Sequence, residues 1–239
     1  MTTDKTDQVL VITGGTRGIG LATCQRFLEQ GYRIINLSRS DSPLPEVTQL
    51  RVDLSSLDWV DAAAEPLSRA VGRPDRLVVI HNAATLYSDS VQDLDAAQLA
   101  QVMQTNVIAP LQLNQCLLPV MGEGSSILYV GSTLSEKAVA GSCSYVTSKH
   151  ALAGLMRSTC QDLAGTGIHT ACVCPGFTNT EMLCAHVGGE AEILAAIAEG
   201  VTFKRLVEPE EIARLLSFCA DNPAINGAVL HANLGQIEH

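Results

Sequence analysis

V-L-V-I-T-G-G-T-R-G-I-G, residues 9–20, is the stretch that decides the fold. Val9–Thr13 is a short apolar and β-branched run, as a strand buried on both faces requires. Glycines follow at once, which lets the chain turn tightly and lets another group approach the backbone. A helical pattern then runs over Gly18–Gln30, and Gly31 stands behind it as a stop signal. A helix opening straight from such a turn offers free N–H groups and the positive end of its dipole, a seat for a diphosphate. The strand–turn–helix setting favours a dinucleotide turn over a merely structural one.

Outward from there, short β-rich runs alternate with helical stretches. Strands are expected at Val9–Thr13, Arg33–Leu37, Gln49–Val52, Leu77–His81, Ser126–Gly131, His169–Cys174 and Ala228–Ala232. Helices are expected at Gly18–Gln30, Ser56–Val71, Ala96–Leu118, Ser144–Ala164 and Pro209–Ala220, with Pro209 placed as a helix opener. Strands separated by helices imply right-handed crossovers. The expected fold is therefore α/β: a doubly wound parallel sheet of about seven strands with helices on both faces. No linker, repeat or low-complexity segment divides the chain, so one domain is expected over residues 1–239.

The 239 residues carry 15 Lys+Arg against 25 Asp+Glu, a formal net charge of −10. Hydrophobic residues make up 46% and charged residues 17%, enough apolar material for a packed core and too much for a disordered chain. The acidic balance argues against a nucleic-acid partner. No apolar run reaches the length of a membrane span, and the start, MTTDKTDQ, lacks the apolar core of a signal peptide. A cytoplasmic location is expected. The eight cysteines, 24, 116, 143, 160, 172, 174, 184 and 219, form no C-x-x-C and have no companions at metal-ligand spacing. They are expected to be small buried hydrophobes, with Cys172 and Cys174 on the same side of a strand.

The end of the second strand bears on which dinucleotide would fit. An acidic side chain there would accept bonds from the ribose hydroxyls and repel a 2′-phosphate. The sequence instead reads Asn36-Leu37-Ser38-Arg39-Ser40. Arg39 offers a planar fork to a phosphate, Ser38 adds a hydroxyl, and Arg17 in the glycine turn can reach the same group. NADP(H) is the expected cofactor, with NAD(H) possible because Asp41 stands close by.

Further along, Ser132 closes the fifth strand, Tyr145 follows thirteen positions later, and Lys149 lies four beyond that. On a helix, Tyr145 and Lys149 share a face. A free phenol, with a pKa of about 10, is a poor acid–base group at neutral pH. A nearby ammonium and a positive nicotinamide ring would favour the phenolate. Ser132 would hold the substrate oxygen.

These pieces together resemble the short-chain dehydrogenase/reductase family. The matching elements are T-G-G-T-R-G-I-G (13–20), Asp53-Leu54, H-N-A-A (81–84), Asn106, Ser132, Y-V-T-S-K (145–149) and P-G-F-T-N-T (175–180). The closest flavour is that of bacterial 3-oxoacyl-carrier-protein reductases. The resemblance implies a Rossmann-type fold, a nicotinamide dinucleotide, and hydride transfer at a carbonyl or alcohol carbon. It makes Tyr145 the proton donor and acceptor, and Ser132 the group that positions the substrate oxygen. It makes Lys149 the group that lowers the tyrosine pKa and binds the nicotinamide ribose. Asn106 resembles the family's helix asparagine, whose backbone distortion holds a water in the proton relay. Gly14, Thr16, Arg17, Gly18, Ile19 and Gly20 fall in the phosphate turn. Asp53 and Leu54 fall beside the adenine, with the Asp53 carboxylate on its amino group. Asn82 and Ala83 fall near the adenine ribose. Pro175, Gly176, Thr178 and Thr180 fall along the nicotinamide. His81 and Ala84 depart from the pattern, where Asn and Gly are more usual, and Ala232-Asn233-Leu234-Gly235 departs from the usual tail.

The leading expectation is an NADPH-preferring oxidoreductase acting on a small-molecule carbonyl or alcohol. The alternative from another class is a dinucleotide-binding redox sensor without turnover, which would commonly have lost the tyrosine or the lysine. Residues 179–203 are expected to form a substrate lid. No membrane partner is expected. A homotetramer, or else a homodimer, is expected through the helices at 96–118 and 144–164.

Overall fold

The computed structural model describes residues 6–237; the outermost residues of the single domain expected over 1–239 lie outside that range. Seven strands form one all-parallel sheet: β1 (Gln8–Thr13), β2 (Arg33–Ser38), β3 (Thr48–Arg51), β4 (Arg76–His81), β5 (Ser126–Val130), β6 (His169–Pro175) and β7 (Ala228–Ala232). Their order is β3-β2-β1-β4-β5-β6-β7. Val11 pairs with Ile35 on one side and Val79 on the other. The strand order thus reverses between β1 and β4, and a doubly wound sheet opens its ligand crevice at the carboxyl ends of such strands.

Alternation along the strands builds two cores. Val9, Val11, Ile35 and Val79 face one side, under Trp59 and Leu67 of α2 (Trp59–Val71), Leu113 of α4 (Ala109–Leu117) and Met156 of α5 (Cys143–Asp162). Leu10, Ile12, Ile34 and Val78 face the other side, under Phe27 of α1 (Gly18–Glu29) and Ile212 and Leu216 of α8 (Pro209–Asp221). A strand with both faces covered must be apolar throughout, which is why these runs read as continuous rather than alternating.

The single helix expected over 96–118 is instead three pieces. After α3 (Ala96–Met103), residues Gln104–Ile108 form a turn of π-helix, and α4 begins at Ala109. The cause lies in Pro110, next to the start of α4. Proline has no N–H, so the Asn106 carbonyl lacks its usual donor four residues on. The ladder shifts locally, and the Ala109 N–H reaches back to the Gln104 carbonyl. Residues 179–203 hold two short helices, α6 (Glu181–His186) and α7 (Ala191–Glu199). No described helix is long and apolar enough to cross a membrane.

Candidate active site

A cavity of about 780 Å³ opens at the carboxyl end of the sheet. Every site residue expected from the sequence lines it except Asn106. No group of three or more His, Cys, Asp or Glu among the described residues is placed to hold a metal.

One end is the turn after β1. Gly14 and Gly18 adopt φ of 71° and 50°, the left-handed region that glycine enters without strain. A side chain at Gly20 would put its Cβ 2.1 Å from the Gly14 carbonyl oxygen, so the turn closes this tightly only with glycine there. Asn82, from the end of β4, ties the switch point by donating its amide to the Thr13 and Gly14 carbonyls, both at 3.0 Å. The Thr13 hydroxyl accepts the Asn82 and Ala83 backbone N–H groups, also at 3.0 Å. Arg17 precedes α1 without capping it, and the first turn of α1 holds no acidic residue. The helix therefore presents free donors and positive potential where Arg17, Gly18, Ile19 and Gly20 border the cavity.

At the end of β2, Arg39 and Ser38 border the same space. The Ser38 hydroxyl is already engaged: it donates to the Ser40 carbonyl at 2.6 Å and accepts from Asn36 and Gln49 amides. Asp41 is engaged too, clamped by both ends of the Arg51 guanidinium, which holds its carboxyl below the usual range. That leaves Arg39 without a competing partner in Asp41. The Asp53 carboxylate takes the Ser55 hydroxyl at 2.7 Å and backbone N–H at 3.0 Å on a single oxygen, Oδ1. Those bonds, with the more distant Arg39, keep it ionised. Leu54 lies buried beside it.

Ser132, Tyr145 and Lys149 meet elsewhere on the cavity wall. Ser132 stands at the end of β5 in a reciprocal cap, its Oγ accepting the Leu134 N–H at 3.1 Å while its own N–H donates to Ser135 Oγ at 3.1 Å. The Ser132 hydroxyl is also near enough to the Tyr145 phenol to act on its proton affinity. Lys149 is buried, donates to the Val130 carbonyl at 2.7 Å, and lies 5.4 Å from the centre of the Tyr145 ring. Burial pushes the phenol up to about 12, with the nearby Ser132 hydroxyl opposing it. Lys149 itself is brought down to about 8 by burial.

Asn106 sits behind this trio. Its amide exchanges two bonds with the Thr85 backbone, at 2.8 and 3.0 Å, and donates to Ser148 Oγ at 2.9 Å. The side chain is thereby spent on holding the β4–α3 connection to α5. On the fourth wall, Pro175 and Gly176 end β6, Thr178 Oγ1 donates to the Gly176 carbonyl at 3.0 Å, and Thr180 caps α6.

Three features of the site went unforeseen. Asp89 is a buried carboxylate at the start of α5, joined to a segment 55 residues away in sequence, so no local pattern announces it. Gln236 reaches the cavity through a bridge to Val201. Cys172 and Cys174 do share one side of β6, but they touch, with sulfurs 3.8 Å apart, beneath Gly131. Only Cys24, Cys172, Cys174 and Cys219 are buried; Cys116, Cys143, Cys160 and Cys184 are half-buried, so the expectation of buried hydrophobes holds for half of them.

A family model described as "Enoyl-(Acyl carrier protein) reductase" matches residues 14–236. Carbonyl reductase family member 4 of Danio rerio is 29% identical over 234 residues, covering 93% of this chain and 95% of its own. The 3-oxoacyl-acyl-carrier-protein reductase FabG of Vibrio cholerae is 25% identical over 240 residues, with coverage of 95% and 96%. The solved Thermoplasma acidophilum aldohexose dehydrogenase superposes with a TM-score of 0.88 at 23% identity, covering 97% of this chain and 94% of that one. That likeness speaks for the fold; the family match over nearly the whole chain speaks for kinship. With the reversed strand order, the glycine turn and the Ser132–Tyr145–Lys149 cluster in one cavity, it follows that this chain belongs to the short-chain dehydrogenase/reductase family, oxidoreductases that work with a nicotinamide dinucleotide.

Proposed function

We propose that the protein is an NADPH-preferring oxidoreductase that moves a hydride between the nicotinamide and a small carbonyl or alcohol. The observation that carries this is the meeting of Ser132, Tyr145 and Lys149 in the cavity that also holds the glycine turn and Arg39. The donor set suits the dinucleotide. Free N–H groups of α1 would take the diphosphate, Arg39 the 2′-phosphate, and the Asp53 carboxylate the adenine amino group. When bound, the dinucleotide supplies or accepts the hydride.

The chain's own groups handle the oxygen and the proton. Ser132 holds the substrate oxygen by a hydrogen bond. At about 12, the Tyr145 phenol is protonated throughout the neutral range and can donate to that oxygen as carbonyl becomes alcohol. Lys149 provides positive charge beside the ring and a donor for the ribose. The Asn106 carbonyl, without a helix donor at Pro110, is available to a water in the relay. Residues 179–203 form the lid, the described chain acts as one domain, and assembly as a homotetramer or homodimer engages the helical stretches 96–118 and 144–164, the first of which exposes Ile108 and Leu111. A cytoplasmic enzyme fits this reading. The likeness to a carbonyl reductase supports the substrate class.

Tyr145→Phe tests the reading, because it removes one hydroxyl and spares the ring packing. NADPH-dependent carbonyl reduction should fall by about 10² to 10⁴, while fluorescence titration still shows dinucleotide binding. Retention of more than about a tenth of native turnover would move the proton to another group.

A further inference from the structure

The start of α6 lies against the glycine turn. A Cβ added at Gly18 would stand 3.1 Å from Thr180 Cγ2 and 3.6 Å from Glu181 Oε2, so the Glu181 carboxylate is a direct neighbour of the turn backbone. The segment leading into α6 is fixed from behind: the Asn179 N–H donates to the Val207 carbonyl at 2.8 Å, and the Val207 N–H donates to the Phe177 carbonyl at 2.9 Å. Thr180 then caps α6, its Oγ1 accepting the Leu183 N–H at 3.3 Å, and Glu181 is the first residue of the helix. A second cavity of about 460 Å³, walled by α1 and the start of α8, shares Gly18, Thr180 and Glu181 with the main one. These three residues form the rim between the two spaces.

The charge on that rim runs against the ligand. The first turn of α1 draws an anion with free N–H groups and the positive end of its dipole, and holds no acidic residue of its own. Glu181 brings a full negative charge up to the same turn from the other chain segment. Among the described residues no cation is paired with it. A carboxylate in a first turn also favours its own helix. If that were its whole purpose, neutralising Glu181 would leave dinucleotide binding unchanged or weaken it. A charge that opposes the ligand gives the reverse sign, since neutralising it tightens binding.

We infer that Glu181 is a cofactor-release residue: its carboxylate repels the dinucleotide diphosphate and keeps the dinucleotide exchangeable between turnovers. The inference rests on the dinucleotide reading above and adds to it a group that works against retention. Glu181 is exposed, so the effective dielectric is high and one like charge should weaken binding by about three- to tenfold rather than abolish it. The repulsion is felt over about 10 Å in 0.1 M salt but only about 3 Å in 1 M salt.

Glu181→Gln tests this, because it removes the charge and keeps the size of the side chain. Dissociation constants and stopped-flow dissociation rates are measured for native and variant protein with four ligands. NADPH, NADH and ADP-ribose all carry the diphosphate; 2′-AMP carries the phosphate assigned to Arg39 and no diphosphate. In about 0.1 M salt the variant should bind the first three about three- to tenfold more tightly, mainly through slower dissociation, and 2′-AMP within about twofold of native. In about 1 M salt the gain should shrink to within about twofold. Unchanged or weaker binding of the diphosphate ligands, an equal gain for 2′-AMP, a gain confined to association, or one undiminished by salt would overturn the assignment and leave the dinucleotide reading standing. Failure of native and variant protein alike to bind NADPH, NADH and ADP-ribose would instead overturn that reading, and this assignment with it.

Discussion

The Asp89 carboxylate grips the first turn of α5 at Ser144: Oδ1 accepts the Ser144 backbone N–H at 2.9 Å, and Oδ2 accepts the Ser144 hydroxyl. Ser142, at the cap position, makes no side-chain cap of its own. A carboxylate from the β4–α3 connection fills that role from 55 residues away, steadied by the Gln98 amide at 3.1 Å. Backbone bonds on both sides, Asp89 to the Gly141 carbonyl and Cys143 to the Asp89 carbonyl, lock the junction. Tyr145 is the next residue along, so the position of its phenol depends on this grip.

Asp89→Ala should therefore lower kcat by about tenfold or more while the NADPH dissociation constant moves by less than about threefold. Urea unfolding should show a loss of about 1–3 kcal/mol from the unsatisfied buried donors. Asp89→Asn keeps one acceptor and should fall between native and Ala in both measurements. A kcat within about twofold of native for Asp89→Ala would show that the tyrosine is positioned by other means.

Cofactor choice should follow Arg39. The native protein should bind NADPH at least about tenfold more tightly than NADH, or about 1.4 kcal/mol. Arg39→Asp should bring that ratio below one, since the new carboxylate would repel a 2′-phosphate and accept from ribose hydroxyls. Arg51→Ala offers an internal check: it frees Asp41 and should weaken the NADPH preference. Equal native affinities for the two dinucleotides would remove Arg39 from this role.

Lys149 should cost stability at neutral pH. Burial lowers its pKa from 10.5 to about 8 in the fold, so the folded protein gives up this proton before the unfolded chain does. The penalty is fully present below about 8 and disappears as pH rises from there to about 10.5. The shift corresponds to about 3 kcal/mol. Lys149→Met should lack this rise in stability with pH, even though it also loses the bond to Val130. Urea midpoints of both proteins at several pH values between about 7 and 10 provide the comparison. Parallel pH dependences would mean that the buried amine is not the titrating group.

Gly131→Ala should strain the floor of the site. An added Cβ would lie 2.7 Å from Cys172 Sγ, 2.8 Å from Cys174 Sγ and 2.9 Å from Ser135 Oγ. A stability loss of about 1–3 kcal/mol is expected. Pairing it with Cys174→Ala should cost less than the two single losses added together, because the second change makes room for the first. Strict additivity would show that the sulfurs do not confine this position.

The parts of the molecule legible in the sequence are those whose cause is local. Continuous apolar runs such as Val9–Ile12 need both faces of a strand covered, and the turn glycines are demanded by backbone approach at Gly14 and Gly20. The four-residue spacing of Tyr145 and Lys149 already places both on one side of a helix. What stayed hidden depends on distant partners. Asp89 reads as an ordinary loop carboxylate until Ser144 is beside it, and Gln236 as a tail residue until Val201 draws it in. The break in the helix at 104–108 had a local cause in Pro110, but the periodicity on either side masks it. The phenol's upward shift comes from burial, which spacing does not report.

The order in which the sheet is covered also sets a schedule for biosynthesis. α1 leaves the ribosome well before α8, yet α8 packs against it, and the Ser217 hydroxyl that meets Gln30 at 3.0 Å lies 187 residues downstream. At translation rates of about 5–20 residues per second, α1 waits on the order of ten seconds or longer for this partner. During that interval the side of α1 that α8 covers would be open to solvent in a chain whose central strands already have neighbours to pair with. The nascent protein is then a natural client for a holding chaperone, and its release should coincide with emergence of α8.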